Sequence, residues 1–324
     1  MHPPPPSRAL GLAYAQVAIA ATLWGTWSLF LRPARVDAMW SSAIMLGAVT
    51  LVCAPLLLRA SARGPLPGEP PRRASDWWFI VGLAIFDSLN AGLFFAAMSK
   101  TTVSVAVLSH YLAPVFVAIS APIALGTVRE RRAIPLAFVG LCGLALVLEP
   151  WRFAGSTVDS TIGGPLVGAM LGAGSAVFYA ANVVLTKRMG GRFTSEEQLV
   201  YHSVISAALL AMAALVCGAE LPTVRGVVIV AIAGTLVGAS AGLLFLYGLR
   251  RIPAEHAGML CFLEPLTAVV IAWLAWGERP GTVAMLGGAV VVASGALAIR
   301  TPAAKVPPDK TRDPSASGSR STAA

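Results

Sequence analysis

Residues 254–276 read AEHAGMLCFLEPLTAVVIAWLAW, and residues 103–125 read VSVAVLSHYLAPVFVAISAPIAL. Each is an apolar run long enough to cross a bilayer, for which about 20 residues suffice. Each is broken near its middle by a proline, Pro265 and Pro114. Shifting one run onto the other by 151 positions aligns more than the prolines. Leu93-Phe94 falls on Leu244-Phe245, Ser99-Lys100 on Arg250-Arg251, and Gly126 on Gly277. Paired, proline-interrupted apolar segments in the two halves of a chain point to the binding site of a secondary transporter.

The remainder of the chain is equally apolar. Of 324 residues, 56% are hydrophobic and only 12% charged, with mean hydropathy +0.75. Soluble domains carry about 25% charged residues, so this chain lacks the charge to coat a water-facing surface. Ten stretches approach spanning length, at 10–31, 38–58, 77–98, 103–125, 133–150, 164–186, 198–218, 226–249, 254–276 and 282–300. The fifth and tenth are the shortest. Runs this long and continuous satisfy their backbone in lipid as helices and exclude a barrel. The fold class expected is an all-α, polytopic membrane protein.

A net charge of +9 invites a nucleic-acid reading, but the distribution argues for a membrane topology. With ten spans and both ends on one side, only Arg32, Arg35, Lys100, Arg152, Arg225 and Arg279 fall on the other side. The remaining 18 of the 24 Lys and Arg lie with the termini. That bias places both termini in the cytoplasm, and the bilayer of a bacterial cytoplasmic membrane is the expected partner. No basic stripe alternates with aromatics, so no nucleic-acid partner is expected. A signal peptide is a rival for the first span, with Arg8 before an apolar run and Ala18-Ile19-Ala20. The run continues to Leu31, which is too long for a signal h-region. The four cysteines, Cys53, Cys142, Cys217 and Cys261, fall in spans without metal-ligand spacing and read as small packing residues. No cofactor and no metal are expected.

Residues 1–9 and 301–324 are Pro- or Ser/Thr-rich and expected to be disordered; 64–71 reads as a Pro/Gly-rich loop. Between them lie two blocks of five spans, 10–150 and 164–300. Five is odd, so tandem copies enter the membrane in opposite orientations, making an inverted repeat. Gly164, Gly168 and Gly172, and Gly234, Gly238 and Gly242, recur every four residues. That spacing lines small residues along one helix face for close packing.

These residues resemble the EamA family of the drug/metabolite transporter superfamily. The second repeat carries Leu249-Arg250-Arg251-Ile252-Pro253-Ala254, then Glu264-Pro265, then Trp276-Gly277-Glu278-Arg279, with Gly287 and Gly295 in the last span. The first repeat carries Trp24-Gly25, Ala113-Pro114, and Gly126 followed by Glu130-Arg131, the glutamate standing about one turn late. The arginine that many members place early in the second span has no counterpart near Trp40-Ser41-Ser42. The resemblance covers about residues 10–300. It implies a ten-helix basket whose first, third, fourth, sixth, eighth and ninth spans line a central cavity, with substrate crossing by alternating access.

A charge near the bilayer midplane costs about 2.5–3.5 kcal/mol, so each one requires a reason. Glu264 stands halfway along its span, beside a proline that frees a nearby backbone carbonyl. It offers a site for an amine or a proton, or a tether between helices. Asp87 and Asn90, three apart, share a helix face with Phe94 and are expected to line the cavity. His110 and Tyr111 precede Pro114 by about a turn, His110 reading either as a cavity group or as packing. Trp24, Trp27 and Ser28 in the first span, and Tyr179 and Asn182 in the sixth, suit a metabolite site or aromatic packing alike. Tyr247 is a weaker candidate. His202 reads as structural, and Glu149, Glu255, His256 and Glu278 as interfacial. Pro114 and Pro265 are the expected hinges.

The expectation is a secondary transporter moving a small organic metabolite or drug, with a proton or counter-substrate as possible co-partner, and an exporter in direction. Gly238-Ala239-Ser240-Ala241-Gly242 matches the G-x-S-x-G pattern of serine hydrolases, which works only on a strand-to-helix turn. An intramembrane hydrolase and a non-transporting scaffold are the rival readings.

Overall fold

The computed structural model describes residues 7–62, 72–153 and 164–300. Ten helical spans cross it in succession: Arg8–Ala34, Ala38–Arg59, Ala74–Lys100, Val103–Leu125, Ala133–Arg152, Pro165–Met189, Ser195–Val216, Val224–Leu249, Ala254–Trp276 and Thr282–Arg300. No strand forms among the described residues. The fifth and tenth, shortest in the sequence, are complete spans of 20 and 19 residues. Residues 7–9, assigned to a disordered end on composition, open the first helix, Ser7–Trp24. Residues 1–6, 301–324 and the 64–71 loop lie outside the described residues.

The neighbour pattern obeys an inverted repeat. Extensive contacts join spans three and six, two and seven, four and six, five and ten, and one and eight. Exchanging spans one to five with six to ten maps the second–seventh and fifth–tenth pairs onto themselves. The same exchange turns the third–sixth pair into the eighth–first pair. In lipid there is no hydrophobic drive between helices, so close packing of small residues holds such pairs together. At the fifth–tenth contact, a Cβ on Gly287 would lie 2.6 Å from the Gly143 carbonyl oxygen. Gly287→Val is therefore expected to cost about 1–3 kcal/mol by overpacking, read as a lowered unfolding midpoint in detergent. Gly47→Ala, where a Cβ meets nothing within 4 Å, is the matched control. Equal midpoints for the two variants would overturn this account of the contact.

Spans four and nine are each two helices, Val103–His110 with Ala113–Leu125, and Ala254–Leu260 with Leu263–Trp276. The breaks precede the prolines. Pro114 and Pro265 occupy the first turn of the second helix, where a missing N–H removes a donor that is unpaired anyway. Two further interruptions have no proline to announce them. Span one stops at Trp24 and resumes as Ser28–Ala34, with the Thr26 hydroxyl turned back onto the Leu23 carbonyl at 2.7 Å. Span eight contains a π-helical turn, Gly234–Ala239, of the kind that clusters at functional sites.

The broken spans differ sharply between their ends. All seven residues of Ala254–Leu260 are buried, whereas in the matching Val103–His110 only Ala106 is. Conversely, Ala113–Leu125 buries seven residues and Leu263–Trp276 only Pro265. The bundle is thus sealed at the face where the described chain enters at Ser7 and leaves at Arg300, here termed the near face. The opposite, far face stands open. There, spans one and nine are linked by an exposed pair, Arg32 to Glu278 at 2.6 Å, with Arg32 lying over Trp276. The Arg32 hydrogen bond holds the Glu278 carboxyl below its ordinary range. Exposed pairs of this kind contribute about 0–1 kcal/mol.

Candidate functional site

A central cavity of about 350 Å³ opens among the spans, within the range of small-molecule sites. Its aromatic wall includes Trp24, Trp27, Phe94, Phe95, Tyr179 and Phe245, and its polar groups include Asp87, Asn90, His110, Asn182, His202 and Glu264. Phe94 and Phe245 stand 151 positions apart, so the repeat offset read from the sequence brings equivalent rings to the two sides of one cavity.

Seven of the eight candidate contact residues line this space: Glu264, Asp87, Asn90, His110, Trp24, Tyr179 and Asn182. Tyr111 does not. Successive helical residues point about 100° apart, so with His110 facing the cavity the Tyr111 ring turns into a cluster with Leu144, Phe262 and Val291. The lining is also wider than the six spans the family resemblance implied. Ser42, Met45 and Val49 of span two and Leu199, His202 and Leu210 of span seven contribute. His202, read from the sequence as structural, is therefore a cavity residue. Its Nδ1 is engaged by the Gln198 carbonyl at 2.6 Å.

Glu264 owes its place to the break. It lies in the first turn of Leu263–Trp276, where the positive end of the helix dipole favours a carboxylate. Its amide donates to the Cys261 carbonyl at 3.0 Å, and Cys261 in turn accepts the Tyr179 hydroxyl on sulfur at 3.3 Å. Span one approaches so closely that a Cβ on Gly25 would stand 2.5 Å from the Glu264 carbonyl oxygen and 2.5 Å from Thr267 Cβ. The unannounced break in span one thus meets the announced break in span nine.

Across the cavity, Asn182 Nδ2 lies 3.5 Å from Asp87 Oδ1. His110 is tied through Nδ1 to the Ser175 hydroxyl at 2.8 Å and packs against Phe94 and Tyr179. Asn90 Oδ1 is buried with no protein partner. Among the described lining residues the charged ones are Asp87 and Glu264, with no Lys or Arg. The cavity therefore offers hydrogen-bonding groups and two carboxyls inside an aromatic shell.

Several residues placed elsewhere on sequence grounds need reassignment. Glu255 and His256 are buried at the near face, and Glu149 is buried beside Arg152 at 3.0 Å. A span end is not an interface when neighbouring helices cover it. The Tyr247 hydroxyl donates to Glu196 at 2.7 Å and is not among the lining residues. Cys53 and Cys261 are buried, but Cys142 and Cys217 are exposed. The hydroxyl of Ser240 donates to the Leu236 and Val237 carbonyls of its own helix. That bond explains the serine without a hydrolase.

Ten spans in an inverted repeat, four of them interrupted around a central cavity, define a membrane transporter. The chain belongs to the EamA-like transporter family, which matches residues 11–149 and again 166–300. A relative from Archaeoglobus fulgidus described as an uncharacterized transporter is 28% identical over 293 residues, spanning 90% of this chain and 98% of its own. A solved crystal structure superposes with a TM-score of 0.73 at 19% identity, over 88% of this chain and 97% of the other. That last likeness concerns the fold.

Proposed function

We propose that this chain is a secondary carrier that exports a small organic amine with an aromatic or apolar body across a bacterial cytoplasmic membrane. The observation that carries the reading is the cavity itself. Two carboxylates and the unpartnered Asn90 oxygen call for a hydrogen-bond donor with positive charge. The surrounding rings suit an aromatic body and a cation held over π faces. Glu264 receives the ammonium, Asp87, Asn90 and Asn182 complete the polar floor, and Trp24, Tyr179 and His110 close round the body. A proton competes with the ammonium for the same carboxylate, so export is coupled to proton entry.

The open far face corresponds to the outside, given the excess of Lys and Arg with the termini. Access alternates as the two repeats exchange their open and closed halves, bending at the breaks that Pro114 and Pro265 initiate. The reading is tested by thermal shift of the purified protein against paired ligands. Aromatic amines are expected to raise the midpoint, while the matching carboxylic acids and alcohols leave it unchanged. Stabilisation by the acids in preference to the amines would overturn the assignment of charge.

A further inference from the structure

Outside the central cavity, spans three, four and six enclose a second space, a groove of about 510 Å³. Its wall is apolar, with Phe79 and Phe86 from span three, Phe116 from span four, and Val177 and Ala181 from span six. Among the described lining residues the charged one is Arg188, in the last turn of Gly164–Met189. We propose that this groove binds an anionic phospholipid of the near-face leaflet, with an acyl chain between the spans and the phosphate on Arg188.

The dimensions fit a lipid of one leaflet. Span six ends at the near face, and Val177 lies about 16 Å from Arg188 along a helix. That is about half of a 30 Å hydrocarbon core, so the groove runs from the near interface to the midplane. The three spans agree on which end is which. Phe79 stands at the start of span three, where Asp76 pairs with Arg192, and Ala124 stands at the end of span four. Phe86 and Phe116 lie deeper. The charged group therefore sits where a headgroup sits, and the rings and small aliphatic residues sit where the chain lies.

The charge is available to an outside anion. Arg188 is exposed, and its Nη1 donates to the Ala124 carbonyl at 3.3 Å. That bond steadies the guanidinium at the mouth of the groove and leaves further N–H donors in the planar fork that suits a phosphate. Among the described residues Arg188 pairs with no carboxylate. Arg129, Arg131 and Arg132 follow span four at the same face and are exposed. Glu130, between them, is buried against His256 at 2.6 Å. A basic mouth on an apolar inter-helix groove selects anionic headgroups. A zwitterionic lipid offers the same chain and phosphate, but its own cation competes for that phosphate.

Span six is the wall shared by groove and cavity. Val177, Ala181 and Arg188 line the groove, while Tyr179, Asn182 and Thr186 line the cavity. At about 100° per residue the two sets fall on opposite faces of one helix. In span three, Phe86 meets Phe178 with ring centroids 5.8 Å apart, and Asp87 follows it into the cavity. An acyl chain in the groove thus supports from behind the two spans that set Asn182 against Asp87. This site lies beyond the carrier reading, and its occupancy is measured without any substrate.

The test is native mass spectrometry of the full-length protein, freed of lipid in detergent and titrated with dioleoyl phosphatidylglycerol or dioleoyl phosphatidylcholine. Phosphatidylglycerol is expected to bind as a single tight adduct, roughly fivefold more strongly than phosphatidylcholine, the worth of one basic side chain at a membrane surface. Arg188→Gln should remove that preference, whereas Arg300→Gln, the same charge lost at another span end, should keep it. Ala181→Phe fills the groove and should weaken both lipids. If that variant folds poorly, the exposed Arg188 position still carries the test. Inorganic phosphate in large excess should not displace the lipid, because the chain holds it. Equal affinity for the two lipids, an unchanged preference in Arg188→Gln, or an equal loss in Arg300→Gln overturns the proposal. So does displacement by phosphate, or a protein dimer that forms in place of the lipid adduct.

Discussion

Glu264→Gln is expected to weaken binding of an amine substrate by roughly 100-fold and to remove the pH dependence of transport. The change keeps the side-chain volume and its place in the first turn of Leu263–Trp276, so the fold should tolerate it. What it removes is the negative charge. Truncating one partner of a buried, hydrogen-bonded charge pair costs about 2–5 kcal/mol, and each 1.4 kcal/mol is tenfold in affinity. Acid should also weaken the wild type, because a proton occupies the carboxylate that the ammonium needs; the glutamine variant has no such competition. The measurement is substrate-driven proton flux in proteoliposomes between about pH 5 and pH 8. Wild-type flux in the variant throughout that range would sink the role given to Glu264.

Gly25→Val is expected to be nearly as damaging, although the glycine bears no functional group. A Cβ there would stand 2.5 Å from both the Glu264 carbonyl oxygen and Thr267 Cβ. Real atoms do not approach so closely, and one of the two contacts is backbone, which cannot swing away. The broken ends of spans one and nine must separate, carrying Glu264 out of register with the cavity. Overpacking of this kind costs about 1–3 kcal/mol, and displacement of a binding carboxylate adds its own loss of affinity. Loss of transport with a thermal midpoint lowered by only a few degrees is expected, with Gly25→Ala intermediate. Full transport in Gly25→Val would show that the contact between the two breaks is not needed.

The two proline-broken runs were legible because proline leaves a chemical mark: no N–H, and a clash with the preceding turn. The breaks themselves fall at Tyr111-Leu112 and Cys261-Phe262, just ahead of the prolines. The interruption in span one and the π-turn in span eight left no such mark. They arise where Gly25 and Gly238 bring backbones or rings together, Gly25 against Glu264 and Gly238 beside Val49, and neighbouring partners are not written locally. His202 was missed for the same reason. Its own span looks like packing, and only the approach of spans three and six opens a cavity in front of it. Tyr111 errs in the opposite sense. Being next to a cavity residue in sequence places a helical side chain on a different face.

Length, hydropathy and charge bias by themselves determined a ten-span helical membrane protein with an inverted repeat, because a bilayer leaves a chain few ways to satisfy its backbone. The 151-residue offset even named the ring pair Phe94 and Phe245. Tertiary structure alone decided which polar groups share a space. It set Glu264 in the lining of an aromatic-walled cavity and enclosed His256 between Tyr14 and Glu130, though each reads in sequence only as a polar letter in a largely apolar run. The physical reason is that a buried group's chemistry depends on the partners that desolvate and neutralise it, and those partners stand up to 242 positions away along the chain.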